Sequence, residues 1–141
     1  MDTVLNQSLR ISDLAKLTDC QPVTIRYYEA QGLLPKPMRN DSNYRVYGPP
    51  HVERLQFIRH CRSLDMSLEE IHQLLALRDN PANACDQVNA LIDQHIDQVQ
   101  QRIEELYKLQ HHLTSLRDSC GESRSVQDCG ILQHIAQEIH T

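Results

Sequence analysis

Residues 85–118 contain neither proline nor glycine, and apolar side chains recur there at every seventh position. The repeating residues are Ile92, Val99, Leu106 and Leu113, with a companion position at Ile96 and Ile103 that shifts to Leu109 and Leu116. Such a heptad repeat is typical of a coiled-coil seam, in which a helix buries a narrow apolar stripe against another helix. Because a seam this narrow needs a partner, we predict one long helix that pairs with a second copy of the chain.

Three cysteines stand at the ends of this helix, Cys85 at its start and Cys120 and Cys129 after its end. At 1.5 Å per residue, a straight helix separates Cys85 from Cys120 by roughly 50 Å within a chain. The thiols meet only if two helices pair antiparallel, so that each Cys85 reaches the cysteine loop of the other subunit. Since thiolates select soft or borderline ions such as Zn, Cd, Hg and Pb, the spacing predicts a soft-metal site shared between subunits.

The remaining thiols and the nearby histidines are weaker candidates. His112 or a water could fill a fourth metal position, whereas His134 and His140 follow the loop and are expected to face solvent or an interface. Cys61 falls on an apolar helix face and is expected to act as a small core residue. Cys20 is expected to be structural or an exposed reactive thiol.

Charge is distributed unevenly along the 141 residues, whose net charge is −5. Residues 1–62 carry nine Lys/Arg against six Asp/Glu, and residues 63–141 carry five against thirteen. A basic head on an acidic body is typical of a DNA-contacting protein, with ordinary charge scatter as the alternative. The sequence has no apolar run near the roughly 20 residues that span a membrane and no signal-peptide pattern at its start. We therefore expect a cytoplasmic protein whose five cysteines are thiols.

Two short helices joined by a tight turn are predicted over residues 11–31. Ser12 is placed to cap the first helix, Pro22 suits the first position of the second, and Gly32 is its expected left-handed terminator. This arrangement is a helix-turn-helix, whose second helix normally enters the major groove of DNA. Ile25 on that helix is expected to face the core.

A two-stranded hairpin, or wing, is predicted over residues 35–47, because residues 40–43 are rich in turn formers. The wing alternates basic and aromatic groups directly after the helix-turn-helix. Arginine suits phosphate or guanine, whereas threonine and tyrosine mostly contact the DNA backbone. The candidate DNA-binding residues are Thr24, Arg26, Tyr27, Arg39, Tyr44, Arg45, Tyr47 and Arg59. Arg59 is equally consistent with a simple surface charge.

The fold class that follows is mainly all-α. Proline opens a third helix after residue 48, with Val52, Leu55, Ile58 and Cys61 on one face, and a Ser67–Glu70 capping box opens a fourth. We expect a winged helix-turn-helix domain over residues 9–80, an antiparallel coiled-coil dimerisation helix over 84–118, and a metal-binding loop with a short C-terminal helix over 119–141.

The chain resembles the MerR family of metal-responsive transcription regulators from about residue 9 to 139. The matching stretches are 24–29 (TIRYYE), 32–35 (GLLP), 43–47 (NYRVY) and 59–66 (RHCRSLDM). The last stretch, with 88–93 (VNALID) and 129–132 (CGIL), is most similar to the cadmium- and lead-responsive branch (CadR/PbrR type).

The resemblance implies a homodimer on a palindromic operator, inside a promoter whose recognition elements are spaced too far apart. The metal-free dimer keeps the promoter silent, and the metal-bound dimer distorts the DNA and realigns the elements for RNA polymerase. It implies that Cys120 and Cys129 of one subunit bind Cd(II) or Pb(II) with Cys85 of the other, and that the regulated genes serve metal efflux or resistance.

Other effectors and other classes of function remain as alternatives. Zinc-responsive relatives have a cysteine pair where this chain has Ser119 and Cys120, and a histidine where it has Arg124. A Zn(II) response is an alternative effector for the same architecture. Mercury sensors share the three-thiol spacing, so a Hg(II) response is a second alternative. A third is a redox sensor in which Cys120 and Cys129 form a disulfide. An enzyme is not expected, since the sequence has no phosphate-binding glycine loop, HExxH motif or nucleophile with a plausible base.

Overall fold

A computed structural model of the chain describes residues 8–82, 85–123 and 125–138. The chain forms two compact units, the first ending at Leu91 and the second beginning at Ile92. The elements are α1 Ile11–Thr18, α2 Pro22–Ala30, β1 Met38–Arg39, β2 Arg45–Val46, α3 Pro49–Ser63, α4 Leu68–Arg78, α5 Cys85–Asp118, a 3-10 turn Val126–Asp128 and α6 Gly130–Glu138. The prediction of a mainly helical chain with a small wing is confirmed. Within the described residues, every helix is too short or too polar to cross a membrane.

The first helix begins differently from the prediction. Arg10, not Ser12, occupies the cap position, and its backbone N–H donates to Oδ2 of Asp13 at 3.2 Å. Asp13 lies three residues after the cap, the position from which a carboxylate reaches back to the cap N–H. Ser12 lies exposed inside the first turn, so its predicted capping role is corrected.

The turn between α1 and α2 and the end of α2 follow the sequence closely. Asp19 ends α1 in a left-handed conformation with φ of 54°, and Pro22 occupies the first position of α2. Gly32 follows α2 with φ of 77°, as predicted. Leu14 and Ile25 are fully buried, so the two helices of the helix-turn-helix share one core.

The wing is a two-stranded antiparallel hairpin. Met38 pairs with Val46 and Arg39 with Arg45. Leu9 adds a single bridge to Tyr47, with two backbone hydrogen bonds of 2.8 Å. The segment that precedes α1 is therefore attached directly to the second strand of the wing.

Helices α3 and α4 complete the core of the first unit. The predicted inward residues of α3, namely Val52, Leu55, Ile58 and Cys61, are all buried. On α4, Ile71 and Leu75 are buried while Leu68 and Leu74 are half-buried against the same core. The capping box is confirmed: the backbone N–H of Glu70 donates to Oγ of Ser67 at 3.1 Å, and that of Ser67 donates to Oε1 of Glu70 at 2.9 Å.

One arginine joins three segments of this unit. Arg54 on α3 donates through Nε to the Leu33 carbonyl at 3.1 Å, and through its two terminal nitrogens to the Asp79 carboxylate at 2.6 and 2.9 Å. The hydrogen bond from Arg54 lowers the pKa of Asp79. Leu91, on α5, is 7% exposed and belongs to the same core, so this unit extends past the boundary predicted at residue 80.

The long helix predicted over residues 85–118 is confirmed as α5. Its apolar seam is open to solvent in the single chain: Ile96, Val99, Ile103, Leu106 and Leu113 are 39–54% exposed. Beyond Asp118 the chain forms the cysteine loop, the 3-10 turn and α6, whose predicted existence is also confirmed.

Candidate DNA interface and metal-binding loop

A basic groove of about 570 Å³ lies between α1, α2 and the wing. Arg10, Arg26, Arg39 and Arg45 line it together with Tyr44. An adjoining hollow of about 370 Å³ shares the last three of these arginines and is also lined by Lys36. Guanidinium groups concentrated in a concave surface attract phosphate and place donors around it. The structure thus brings together four of the side chains that were predicted to contact DNA, namely Arg26, Arg39, Tyr44 and Arg45.

The tip of the wing is fixed by its own turn chemistry. The side-chain oxygen of Asn40 accepts backbone hydrogen bonds from Ser42 and Tyr44, each at 3.0 Å. Asn43 adopts φ of 65°, a left-handed conformation that asparagine tolerates better than most residues. Arg39 donates through Nη1 to the Asn43 carbonyl at 3.0 Å. These bonds set the positions of Tyr44 and the residues after it on the groove wall.

Two basic residues of the groove were missed by the sequence interpretation. Arg10 precedes the predicted first helix, and its guanidinium lies 4.3 Å from the ring centroid of Tyr44, a cation–π contact. The signal for it was its place beside Leu9, an apolar residue that pairs with the wing. Lys36 could have been found as the lone cation between two prolines at the entrance to the hairpin.

The side of α2 that was predicted to face DNA is exposed in part. Ile25 is fully buried, Arg26 is exposed and Tyr27 is 51% exposed. Thr24 is half-buried, so only part of its side chain reaches the surface.

Tyr47 was predicted to contact DNA, and its burial corrects that prediction. Only 2% of it is exposed, its hydroxyl donates to Oε1 of Glu29 at 2.5 Å, and its ring meets His51 edge-on with centroids 5.1 Å apart. Burial, and secondly the hydrogen bond with Glu29, raise the pKa of Tyr47 to about 12. The other oxygen of Glu29 lies 3.6 Å from Nη1 of Arg45. Tyr47 is therefore a core residue that ties the wing to α2.

Arg59 lies in a different setting from the groove arginines. Its Nη2 donates to Oδ2 of Asp19 at 2.8 Å, and both side chains are more than half exposed. The pair joins α3 to the turn of the helix-turn-helix. An exposed ion pair of this kind contributes little to stability, on the order of 0–1 kcal/mol.

The second candidate site is the cysteine loop after α5. Cys120 follows the helix directly after Ser119, and Cys129 directly precedes α6. Both are half-buried, and the Cys120 side chain lies close enough to Cys129 to lower the pKa of the Cys129 thiol. The Cys120 carbonyl accepts from Nη1 of Arg117 at 3.0 Å, and the Cys120 thiol lies 3.4 Å from the Glu122 carbonyl. Two of the three predicted metal ligands are thus brought together within one chain.

The environment of Cys129 favours the thiolate. The backbone N–H of Leu132 lowers its pKa most, and the Ile131 N–H and the Cys120 side chain lower it further. The cause is the position of the sulfur at the start of α6, where backbone N–H groups have no partner within the helix. Because the thiolate is the form that binds metal, two adjacent sulfurs in this setting fit a thiophilic ion such as Zn, Cd, Hg or Pb.

The other predicted ligands are not assembled with this pair. Cys85 is exposed at the first residue of α5. No group of three or more His, Cys, Asp or Glu side chains that could hold a metal occurs within residues 8–82, 85–123 and 125–138 of the single chain. His134 is exposed on α6, whereas His140 and Arg124 lie outside the described residues.

The two remaining thiols behave as expected from the sequence. Cys61 is 5% exposed, and burial raises the pKa of its thiol. Cys20 is half-buried and donates to the Thr18 carbonyl at 3.5 Å, which fits its expected structural role at the end of α1.

Known proteins share both the sequence and the fold. The family profile described as "MerR HTH family regulatory protein" matches residues 9–77, and "MerR, DNA binding" matches residues 52–116. The chain is 49% identical to the transcription regulator PbrR691 of Ralstonia metallidurans, solved in complex with lead(II), with a TM-score of 0.80 over 90% of this chain and 98% of that one. It is 44% identical over 126 residues to an HTH-type transcriptional regulator ZntR homolog of Haemophilus influenzae, covering 89% and 93% of the two chains. A MerR of Bacillus megaterium in complex with mercury(II) is 28% identical, with a TM-score of 0.71 over 91% and 99%.

The helix-turn-helix, the wing and the basic groove define a winged helix-turn-helix protein of the DNA-binding class. The relatives narrow this class, because they cover nearly the whole chain at 44% and 49% identity. The chain belongs to the MerR family of helix-turn-helix regulatory proteins, as predicted from its motifs. It is accordingly a regulator of transcription and not an enzyme.

Proposed function

We propose that the protein is a metal-dependent transcription regulator that binds a palindromic promoter operator as a homodimer. It is silent without metal and activates transcription by distorting the DNA for RNA polymerase when Cd(II) or Pb(II) binds Cys85, Cys120 and Cys129. The regulated genes serve metal efflux or resistance. The observation that carries the proposal is the thiol pair: Cys129, at the start of α6, has its pKa lowered in part by the Cys120 side chain beside it, in a chain whose fold is that of a DNA-binding regulator.

The DNA-binding surface in this proposal is the basic groove. Arg26, Arg39 and Arg45 contact phosphates or base edges, and Arg10 joins them because it lines the same groove and packs on Tyr44. Thr24 and Tyr27 contact the backbone from α2. Tyr47 is left out of the set because it is buried.

Operator binding by arginine variants tests this surface. Arg26→Ala and Arg45→Ala should each weaken binding, and the loss of one phosphate contact should reduce the slope of log K against log salt by roughly one unit. Lys108→Ala is the matched control, since Lys108 is an exposed cation on α5 outside the groove. Unchanged affinity and salt slope in both arginine variants would exclude the groove as the DNA interface.

The proposed dimer covers the open seam of α5. Apolar side chains that are about half exposed along one face of a long helix lose contact with water when a second helix packs there, at about 25 cal/mol per Å² of apolar surface removed from water. An antiparallel pair places Cys85, the first residue of α5, beside the loop that follows the end of the partner's α5. This supplies the third thiol that a single chain does not bring to Cys120 and Cys129.

Mixed dimers distinguish a shared site from one contained in a single subunit. One chain carries Cys85→Ser, and the other carries Cys120→Ser and Cys129→Ser. A shared arrangement leaves one complete set of three thiols, so the mixed dimer should bind one cadmium ion tightly. The two parental homodimers are the controls, and neither has a complete set. Absence of tight binding in the purified mixed dimer would refute the shared arrangement.

The proposed metal preference is for large thiophilic ions over zinc. Three thiolates suit Cd(II), and Pb(II) accepts them with its lone pair on the open side, whereas zinc prefers a closed tetrahedron when structural. The relative at 49% identity was solved with lead(II) bound, which supports this choice. Other relatives keep the zinc and mercury alternatives open. One at 44% identity is named as a ZntR homolog, and one at 28% identity was solved with mercury(II).

Competition and induction decide among these metals. We expect Cd(II) and Pb(II) to displace Zn(II) from the dimer and to induce the promoter at lower free concentrations. Zinc induction at a lower free concentration than both would show that the effector is zinc. Mercury induction below both would assign the mercury-responsive alternative.

The thiol pair also supports a second function, a redox sensor in which Cys120 and Cys129 lose two protons and two electrons to an oxidant and form a disulfide. The closeness of the two side chains favours this alternative as well. Metal binding and promoter induction under fully reducing conditions separate the functions. A promoter that responds to oxidant in the absence of metal, and not to metal under reducing conditions, would favour the sensor.

A further inference from the structure

We infer that Gly130 is the positioning residue that keeps Cys129 against Cys120, because only glycine lets the start of α6 rest on the Ser119 carbonyl. The inference rests on the proposed function of the thiol pair as a metal site, and it names the residue that sets the geometry of the pair. Ser119 directly precedes Cys120 and Gly130 directly follows Cys129. The contact between residues 119 and 130 is therefore next to both sulfurs.

The space at this contact is smaller than any side chain. A Cβ added at residue 130 would lie 2.5 Å from the Ser119 carbonyl oxygen and 3.3 Å from the Ser119 carbonyl carbon. Non-bonded heavy atoms pack at about 3.5–4.0 Å, so the backbones would have to separate by roughly 1 Å. Gly130 is the first residue of α6 and does not have a positive φ. Close approach, and not backbone conformation, is what requires glycine here.

Ser119 cannot move aside without breaking other bonds. Its backbone N–H donates to the Ser115 and Leu116 carbonyls at 3.2 Å, and its Oγ donates to the Leu116 carbonyl at 2.6 Å. Ser119 is thus attached to the last turn of α5. Any separation must be taken up on the other side of the contact.

On that side, movement of residue 130 displaces Cys129. The Cys129 carbonyl accepts from the Gln133 N–H at 3.2 Å, which attaches Cys129 to the first turn of α6. Shifting the start of α6 away from Ser119 therefore carries the Cys129 sulfur away from Cys120. A displacement of this size is large for a metal site, where ligand distances hold to within about 0.2 Å.

The test compares Gly130→Ala with Gly121→Ala in the full-length dimer. Gly121 lies in the same loop, and an added Cβ there meets nothing within 4 Å, so it is the matched control. The probe is Cd(II) alone, with its affinity measured by competition with a chelator and its ligands followed by thiolate-to-metal charge-transfer absorption. We expect Gly130→Ala to lose roughly 10–100-fold in affinity, the range found for residues that orient metal ligands, and to lose absorption intensity per bound ion. Gly121→Ala should match the parent.

A second probe tests the pair without relying on metal sensing. In a Cys85→Ser background, a monosubstituted trivalent arsenical forms two As–S bonds and releases two water molecules only where two thiols lie close together. Gly130→Ala should bind it more weakly than the parent, and Gly121→Ala should not. If the Cys85→Ser protein binds the arsenical but the unsubstituted dimer binds no cadmium, the proposed metal function fails while the inference about Gly130 is still tested.

Two outcomes would overturn the inference. One is equal behaviour of Gly130→Ala and Gly121→Ala with both probes. The other is loss of operator binding by the metal-free Gly130→Ala dimer, because the inference confines the effect of Gly130 to the cysteine loop and leaves the DNA-binding domain intact.

Discussion

Removing the hydroxyl of Tyr47 should lower the free energy of unfolding of the DNA-binding unit, by an amount that follows from one hydrogen bond. Tyr47→Phe keeps the buried ring and deletes the 2.5 Å hydrogen bond to the Glu29 carboxylate. A hydrogen bond to a charged group contributes about 1.5–3 kcal/mol, and the side chain of Glu29 is only 11% exposed, so water replaces the lost donor poorly. With a urea m-value of about 1–3 kcal/mol per M, the midpoint of urea unfolding should fall by roughly 1 M.

The pH dependence of this difference provides an independent check. Burial and the Glu29 hydrogen bond raise the pKa of Tyr47 to about 12 in the folded protein, against about 10 in an unfolded chain. Because the folded value is the higher one, the contribution is fully present below about pH 10 and is lost as the pH rises to about 12. The free energies of unfolding of the parent and Tyr47→Phe should converge over that window. Every other titratable group is the same in the two proteins, so its contribution cancels in the difference.

Tyr27→Phe is the matched control, since Tyr27 is 51% exposed on α2. It should change the free energy of unfolding by less than about 0.5 kcal/mol. Protein concentration must be held constant, because the stability of a dimer depends on it. A Tyr47→Phe variant as stable as Tyr27→Phe, or a difference that does not shrink at high pH, would refute the role given to the Tyr47–Glu29 bond.

Three further substitutions test other contacts by urea unfolding. Asp79→Asn should lower stability at pH 7 by at most about 1 kcal/mol, since Asp79 is half exposed. Because Arg54 lowers the pKa of Asp79, that difference is present above about pH 4 and should vanish in acid; a difference that persists at low pH would contradict this. Ser67→Ala should destabilise the protein by about 1 kcal/mol through loss of the α4 cap, and an unchanged midpoint would show that the cap contributes nothing. Asn43→Val should destabilise by about 1–2 kcal/mol at φ of 65° and weaken operator binding, whereas Asn43→Gly should preserve both.

The elements that the sequence predicts well are those specified by neighbouring residues. The heptad repeat and the absence of proline and glycine define α5 from Cys85 to Asp118, and the Ser67–Glu70 box defines the start of α4. The start of α1 is different, because Ser12 and Asp13 are both suitable capping residues. The outcome there depends on the pairing of Leu9 with Tyr47, a contact between residues far apart in the sequence, which places Arg10 at the cap position.

In the candidate sites, too, features specified by neighbouring residues were predictable, whereas features decided by contacts between distant residues were not. The cysteine loop was predictable because Cys120 and Cys129 lie close in the sequence on either side of a short loop. The wing was not fully predictable, because its alternating basic and aromatic residues do not reveal which strand side faces α2. That orientation buries Tyr47 against Glu29 and leaves Tyr44 exposed beside Arg10. A core residue therefore resembled a DNA contact in the sequence, and Arg10 was missed.

Glu29 places a negative charge at the edge of the groove that we propose to bind DNA phosphates. Its carboxylate is fixed by the short hydrogen bond from Tyr47, whereas Arg45 lies 3.6 Å away with its side chain 41% exposed. Charge-assisted hydrogen bonds are typically about 2.7–2.9 Å long, so the Arg45 contact is loose and contributes on the order of 0–1 kcal/mol. Arg45 is thus oriented toward the groove without being neutralised by a tight ion pair. A DNA phosphate that approaches the groove would have to displace only this weak interaction, while the bond between Tyr47 and Glu29 keeps the wing attached to α2.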